Sequence, residues 1–246
     1  MTKDSIAVLS DIHGNRWALE AVIEDIENRG ITNIVNLGDS LYGPLDPAGT
    51  ADLLGKLNAV SVRGNQDRSI IEAAEPSSTL EFVREKLKAD HIDFLKSLDI
   101  TETMGEEVLL FHGTPNDDEV YLLHDVDANG LRMRSESGIQ RLLKDRSEKL
   151  FLCGHDHSPN SIRLAGNRVV VNPGSVGLPA YSDDVPHQHY VENGDPRARY
   201  CIIAKARSSW SVEQMCVPYD HDAASKMAKD NNRDDWAFWL KTGRAL

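Results

Sequence analysis

Five short, largely apolar runs in the first two thirds of this 246-residue chain each stop at a residue able to ligate a cation. Ile6-Ala7-Val8-Leu9 leads into Asp11 and His13, Ile34-Val35-Asn36-Leu37 into Asp39, and Ala59-Val60-Ser61-Val62 into Asn65. Val108-Leu109-Leu110-Phe111 ends at His112, and Leu150-Phe151-Leu152-Cys153 at His155 and His157. Runs of this length, bounded by glycine, read as buried strands. Between them, Trp17-Ala18, Val22-Ile23 and Ile26 recur at helical spacing up to the stop signal Asn28-Arg29-Gly30, and residues 46–57, 78–88, 90–98 and 139–146 also read as helices. Such alternation predicts a mainly parallel sheet with helices on its faces. In open sheets of this kind the strand ends converge on one edge, where ligands bind. The polar residues are therefore expected to meet.

After Gly154 the pattern changes. Ala165-Gly166-Asn167 between residues 161–164 and 168–171 predicts a hairpin, and residues 200–206 with 210–217 predict a second. The stretch 179–196, rich in Asp, Pro and His, reads as the one long irregular loop and as a candidate lid. Residues 221–242 read as a C-terminal helical segment in which Met227, Trp236, Phe238 and Trp239 supply core packing. The whole chain, 1–246, is expected to be one domain.

Charge narrows the partners. With 27 Lys+Arg against 39 Asp+Glu, a net charge of -12 repels a nucleic-acid backbone, so duplex nucleic acid is not an expected partner. No run is long enough to span a membrane. Three widely spaced cysteines, Cys153, Cys201 and Cys216, argue against a disulfide framework. Together with a start, Met1-Thr2-Lys3-Asp4, that lacks a signal-peptide core, they place the chain in the cytoplasm. A homo-oligomer stays open.

Carboxylate, imidazole and amide donors form a set of mixed hardness that suits manganese, iron, zinc, nickel or magnesium. Glycines flank these donors in Asp11-Ile12-His13-Gly14-Asn15, Gly38-Asp39, Gly64-Asn65, His112-Gly113 and Gly154-His155-Asp156-His157. Each fragment alone has an ordinary reading: Gly38-Asp39 as a turn, or Asp67 as a helix cap. Their occurrence on successive strands carries the metal reading. In that order they resemble the calcineurin-like metallophosphoesterase superfamily over residues 6 to about 177. The segment Val171-Asn172-Pro173-Gly174-Ser175-Val176-Gly177 further resembles its small bacterial and archaeal branch.

The resemblance implies an α/β fold, a four-layer α-β-β-α sandwich of two mixed sheets flanked by helices. It implies two divalent metal ions, one held by Asp11, His13 and His157, the other by Asn65, His112 and His155, with Asp39 bridging. Asp39, Asn65, His112 and His155 would then serve catalysis, the ion pair supplying hydroxide for attack on a small phosphate-ester substrate. Where many relatives carry histidine after the asparagine, this chain has Gln66, and an amide cannot act as a general acid. That favours good leaving groups and phosphodiesters over monoesters. Asn15, Arg63, Gln66 and His187 are candidate substrate contacts. Asn15 reads equally as a helix cap, Arg63 as a salt-bridge partner and His187, like His189, as a surface residue. Asp156 is expected to orient a ligating histidine. Two other readings stand beside this one. The His124-Asp125, His155-Asp156 and His221-Asp222 pairs resemble the dyads of the helical His-Asp phosphohydrolases, and the calcineurin-like fold can also serve as a non-catalytic metal-binding scaffold.

Overall fold

The computed structural model describes residues 5–73, 75, 77–207 and 209–245; residues 1–4, part of the leaderless reading, lie outside the described residues. In chain order the elements are β1 (Ile6–Leu9), α1 (Arg16–Asn28), β2 (Asn33–Asn36), α2 (Pro47–Leu54), β3 (Ala59–Ser61), α3 (Asn65–Glu72), α4 (Ser78–Lys86) and α5 (Ala89–Ser97). Next come β4 (Thr101–Met104), β5 (Val108–Phe111), β6 (His124–Asp127), β7 (Gly130–Met133), α6 (Glu136–Leu142), β8 (Leu150–Leu152), β9 (Asn160–Leu164) and β10 (Arg168–Asn172). The chain closes with β11 (Ala180–Asp183), β12 (His189–Glu192), β13 (Ala198–Ala206), β14 (Ser209–Val217), α7 (His221–Asp230) and α8 (Asp234–Thr242).

Two five-stranded mixed sheets form, in the orders β14-β13-β1-β2-β3 and β4-β5-β8-β10-β9. Strands β1, β2 and β3 run parallel, as do β5, β8 and β10, while the outer neighbours pair antiparallel. Alternation along each strand explains the layering. Ile6, Val8, Val108, Leu110, Leu150, Leu152, Val169 and Val171 point between the sheets into one shared core. Ala7 and Leu9 point the other way, onto the apolar stripe Ala18, Leu19, Val22 and Ile26 of α1. On the far side Leu109, Phe111, Phe151 and Val170 pack against Ile139 of α6 and Leu143. Both faces of each central strand are thus buried, which is why the runs read as continuous apolar blocks. Truncating wholly buried Leu110 to alanine costs about 2–5 kcal/mol.

The expected hairpins form as β9–β10 and β13–β14. The stretch 179–196 corrects the expectation of an irregular loop, because β11 and β12 pair from Ala180↔Glu192 to Asp183↔His189. Four-residue strands with so few apolar side chains leave no period of two to read. Strands β4, β6 and β7 also escape sequence reading for this reason. The segment 221–242 contains α7 and α8, whose Ala224, Ala228, Trp236 and Leu240 pack on Leu45, Leu178 and Ala180 beside the strand ends. Among the described residues no helix is long and apolar enough to cross a membrane.

Candidate metal centre

The loops after β1, β2, β3, β5 and β8 are drawn onto one edge by backbone hydrogen bonds between neighbouring strands, and Gly177 N, after β10, donates across the sheets to Asp11 O at 3.0 Å. Asp11 N donates to Gly38 O at 3.0 Å, His13 N to Asp39 O at 3.0 Å, and Gly154 N to His112 O at 2.8 Å. Such tight turns force unusual backbone angles. Asp11, His13, Asp39, His155 and His157 all lie in the left-handed region, with φ of 55°, 52°, 55°, 72° and 53°. L-residues avoid this region at a cost of about 1–2 kcal/mol each, and its concentration at one place marks a functional constraint. Gly64 lets the loops close, since a side chain there would meet Asp39 Oδ1 at 2.1 Å.

Two donor clusters result: Asp11 with His13 and His157, and Asp39 with His112 and His155, the ligand atoms within each lying inside 4.8 Å. Asn65 joins the second, its Oδ1 3.1 Å from His112 Nε2. The clusters adjoin. Asp11 Oδ1 lies 3.3 Å from His157 Nε2 and 4.0 Å from His112 Nε2, and Asp39 Oδ2 is 3.3 Å from His112 Nε2. Each imidazole is fixed from behind by a backbone carbonyl, which can only accept. His13, His112 and His157 donate Nδ1–H to Tyr42 O, Leu37 O and Leu178 O at 2.9, 2.8 and 2.8 Å. His155 uses the opposite nitrogen, donating Nε2–H to Glu119 O at 3.0 Å. The remaining ring nitrogens therefore aim lone pairs inward, the arrangement by which metal-binding histidines are oriented.

These residues fit a pair of cations. Asp11 Oδ1 is wholly buried and has no hydrogen-bond partner, a costly state for a carboxylate oxygen. The Nε2 atoms of His13 and His157 face each other at 3.1 Å, which two neutral lone pairs tolerate only with a proton or cation between them. The electrostatics of the site agree. Burial and neighbouring His157 push His13 down to about 4. Burial would lower His112 too, but the Asp39 and Asp11 carboxylates outweigh it and raise the ring to about 10. Burial would raise Asp11, yet the imidazoles of His157, His112 and His13 hold it well below the usual carboxylate range. Without a cation, His112 carries the compensating charge. Asp67, pushed up to about 7 by burial and by Asp39, accepts Ser40 N and Gly64 N at 2.9 and 3.3 Å and so caps α3.

A cleft of about 190 Å³ opens on His13, Asp39, Asn65, His155 and His157. Gln66 lines it, and its backbone N–H donates to Asp39 Oδ1 at 2.8 Å. The other three candidate substrate contacts lie elsewhere. Asn15 caps α1 by accepting Ala18 N at 3.1 Å, and both its amide protons are used, on Gly177 O and the Tyr219 hydroxyl. Arg63 turns to Glu72 at 3.8 Å. His187 is exposed on the β11–β12 turn, and among the described residues only its carbonyl is engaged, accepting from His189 Nδ1 at 2.8 Å. Asp156 orients a histidine, but His124 rather than a ligating one, at 2.9 Å. The cleft walls are residues that the sequence does not single out for binding: Tyr42, Tyr121, Tyr181, Arg233, Trp236 and Trp239. Trp236 and Trp239 are 4% and 7% exposed, so core packing holds for them but not for Phe238, which is 43% exposed; Trp236 also meets His13, ring centroids 5.8 Å apart. No local pattern marks these residues, because they arrive from four separate segments.

A sequence model described as the calcineurin-like phosphoesterase superfamily domain matches residues 5–191. An uncharacterized protein of Methanocaldococcus jannaschii is 28% identical over 262 residues, spanning 96% of both chains. The crystal structure of a metallophosphoesterase from Sphaerobacter thermophilus superposes with a TM-score of 0.78 at 22% identity, covering 98% of this chain and 100% of that one. A hypothetical protein from Pyrococcus horikoshii superposes with a TM-score of 0.73 at 21% identity, covering 97% and 98%. Both likenesses are of fold. The domain match spans most of the chain and includes every residue of the two donor clusters, so this chain belongs to the calcineurin-like phosphoesterase superfamily.

Proposed function

We propose that this protein is a dinuclear-metal phosphoesterase that hydrolyses small phosphate esters, phosphodiesters in preference to monoesters. The observation that carries it is the pair of adjoining donor clusters, whose imidazoles are oriented inward, with Asp11 4.0 Å from His112 of the other cluster and Asp39 3.3 Å from His112 within its own. Two divalent ions held there, of manganese, iron, zinc, nickel or magnesium, would supply Lewis acidity and an activated water. Asp39 is assigned the bridging position, His13, His157 and Asp11 one ion, and Asn65, His112 and His155 the other. Thiolate plays no part, since Cys153 is buried and burial holds its thiol protonated.

The diester preference has two supports. Gln66 lies in the cleft and offers no transferable proton. A second cavity, of about 430 Å³, shares Asn65, Tyr121, His155 and Asp183 with the first, so a phosphate over the ligands has room for an ester group on either side. The β11–β12 hairpin supplies Tyr181 and Asp183 to these walls, which favours its reading as a lid. Three free cysteines suit a cytoplasmic location. Elemental analysis of purified protein, coupled to hydrolysis of bis(4-nitrophenyl) phosphate and 4-nitrophenyl phosphate with each metal, tests the proposal. Two metal equivalents and faster diester cleavage are expected; a metal-loaded protein that cleaves neither ester leaves the scaffold reading.

A further inference from the structure

We propose that His124, held by the buried carboxylate of Asp156, contacts the leaving oxygen of a bound ester in the second cavity and gives it the proton that Gln66 cannot. The proposal rests on the phosphoesterase reading above. His124 begins β6 and lines the second cavity together with Asn65 and His155 of the donor clusters. Its sequence neighbour Asp125 is not its partner, because Asp125 pairs with Arg134. The partner comes from the far side of the site: Asp156 Oδ2 accepts His124 Nδ1–H at 2.9 Å.

Asp156 is wholly buried and is itself fixed, its Oδ1 accepting Asn172 Nδ2 at 2.8 Å and Ser158 N at 2.9 Å. Arg134 holds the backbone of His124 by donating to its carbonyl at 2.8 Å. With Nδ1 committed to the carboxylate, Nε2 is the free edge of the ring, and it makes no hydrogen bond within the described residues. When Nε2 is also protonated, the carboxylate faces the resulting charge at hydrogen-bond distance. The other histidine near the site lacks this freedom. His189 donates Nδ1–H to His187 O, so its Nε2 accepts from the Tyr121 hydroxyl at 3.0 Å, and Tyr121 is bonded in turn to Tyr181 at 2.7 Å. Both ring nitrogens of His189 are thereby engaged.

The step balances simply. The oxygen of one water forms a bond to phosphorus and the bond from phosphorus to the leaving oxygen breaks. The Nε2 proton passes to that oxygen to give an alcohol, and the proton released by the attacking water returns to the ring through solvent. A diester and water become an alcohol and a monoester.

His124→Asn tests the assignment, because its amide can still donate to Asp156 in place of Nδ1 but carries nothing at Nε2. Cleavage of an alkyl phosphodiester should fall by about 10²- to 10⁴-fold, the range of a lost general acid. Cleavage of bis(4-nitrophenyl) phosphate, whose leaving group needs no proton, should change by less than about 3-fold. A second readout needs no turnover: in zinc-loaded wild type, saturation with the ethyl ester of methylphosphonate should shift the His124 Nε2 nitrogen resonance. Equal losses on both esters, no loss on either, or an unmoved resonance at saturation would overturn the role of His124 while leaving the phosphoesterase reading intact. A wild type that cleaves no ester with any metal would overturn both. Should His124→Asn not fold, His124→Gln, read on the same two esters, decides by the same ratio.

Discussion

The two donor clusters use nearly the same chemistry but are held differently. Asp11, His13 and His157 are each at most 4% exposed. His13 rests on the carbonyl of half-buried Tyr42 and His157 on that of buried Leu178, and Trp236 and Tyr181 pack against their rings. In the second cluster Asp39 and His112 are as deeply buried, but His155 and Asn65 are only half-buried. The carbonyl that fixes His155 belongs to Glu119, in an exposed stretch of chain. Ligand identity already separates the sites, since Asp11 gives the first a carboxylate where Asn65 gives the second an amide; the partners behind the ligands add to this and make the first the more rigid. Rigidity of that kind governs how tightly a cation is kept.

The largest effect expected is from Asp39→Asn, which removes the carboxylate assigned to both ions. Activity should fall by more than the ~100-fold typical of losing a hydrogen-bonding partner of a metal ligand, and elemental analysis should find both sites depleted. Full occupancy in this variant would break the bridging role and make the clusters independent. Next in size is a difference between the clusters in the same protein: a chelator should strip the second first, at an affinity weaker by about 10- to 100-fold. Native mass spectrometry would show a one-metal species along the way, whereas loss of both ions in one step would erase the distinction.

A third expectation concerns the metal-free protein. Its His112 is raised to about 10, above the ~6.5 of an unfolded chain. A raised value means that the stability from this group is complete below about pH 6.5 and is lost as pH rises through about 10. Asp67, raised to about 7, acts in the same sense but is spent by neutral pH, and depressed His13 acts only on the acid side. Thermal melts of chelated protein should therefore decline between pH 7 and 10, and bound cations should flatten that decline. A metal-free protein with a level alkaline arm would mean that His112 is not the compensating charge. The smallest effect is on the first cluster's aromatic wall. Trp236→Phe should raise KM for aryl esters roughly two- to ten-fold, the scale of one aromatic contact, with kcat little changed. An unchanged KM would confine Trp236 to packing.

The strand ends were legible because each ligand there follows directly on an apolar run, so local order along the chain maps onto position along one edge. The sequence left two readings each for Arg63 and Asn15, whose polar atoms had two partners within reach, and the local ones, an ion pair and a helix cap, took them. His187 also carried two readings, and on the turn of the cleft hairpin it is exposed, as its surface reading expects. Tyr121, His124, Tyr181 and Trp236 carry no signal of their own. Their placement depends on β6, the β11–β12 hairpin and α8 being packed against loops far away in sequence, as with His124 and Asp156, 32 positions apart.

The left-handed backbone at Asp11, His13, Asp39, His155 and His157 limits how a descendant of this protein could abandon its chemistry. Asparagine and glycine accept such angles readily, while valine, isoleucine and threonine do not. A change to Asn or Gly would silence a ligand and leave the loops in place. A β-branched replacement would silence the ligand and also pry open the edge where the two sheets meet. A lineage drifting toward a shape without catalysis thus has few exits, and its abandoned ligand positions should be written mostly in small or amide residues.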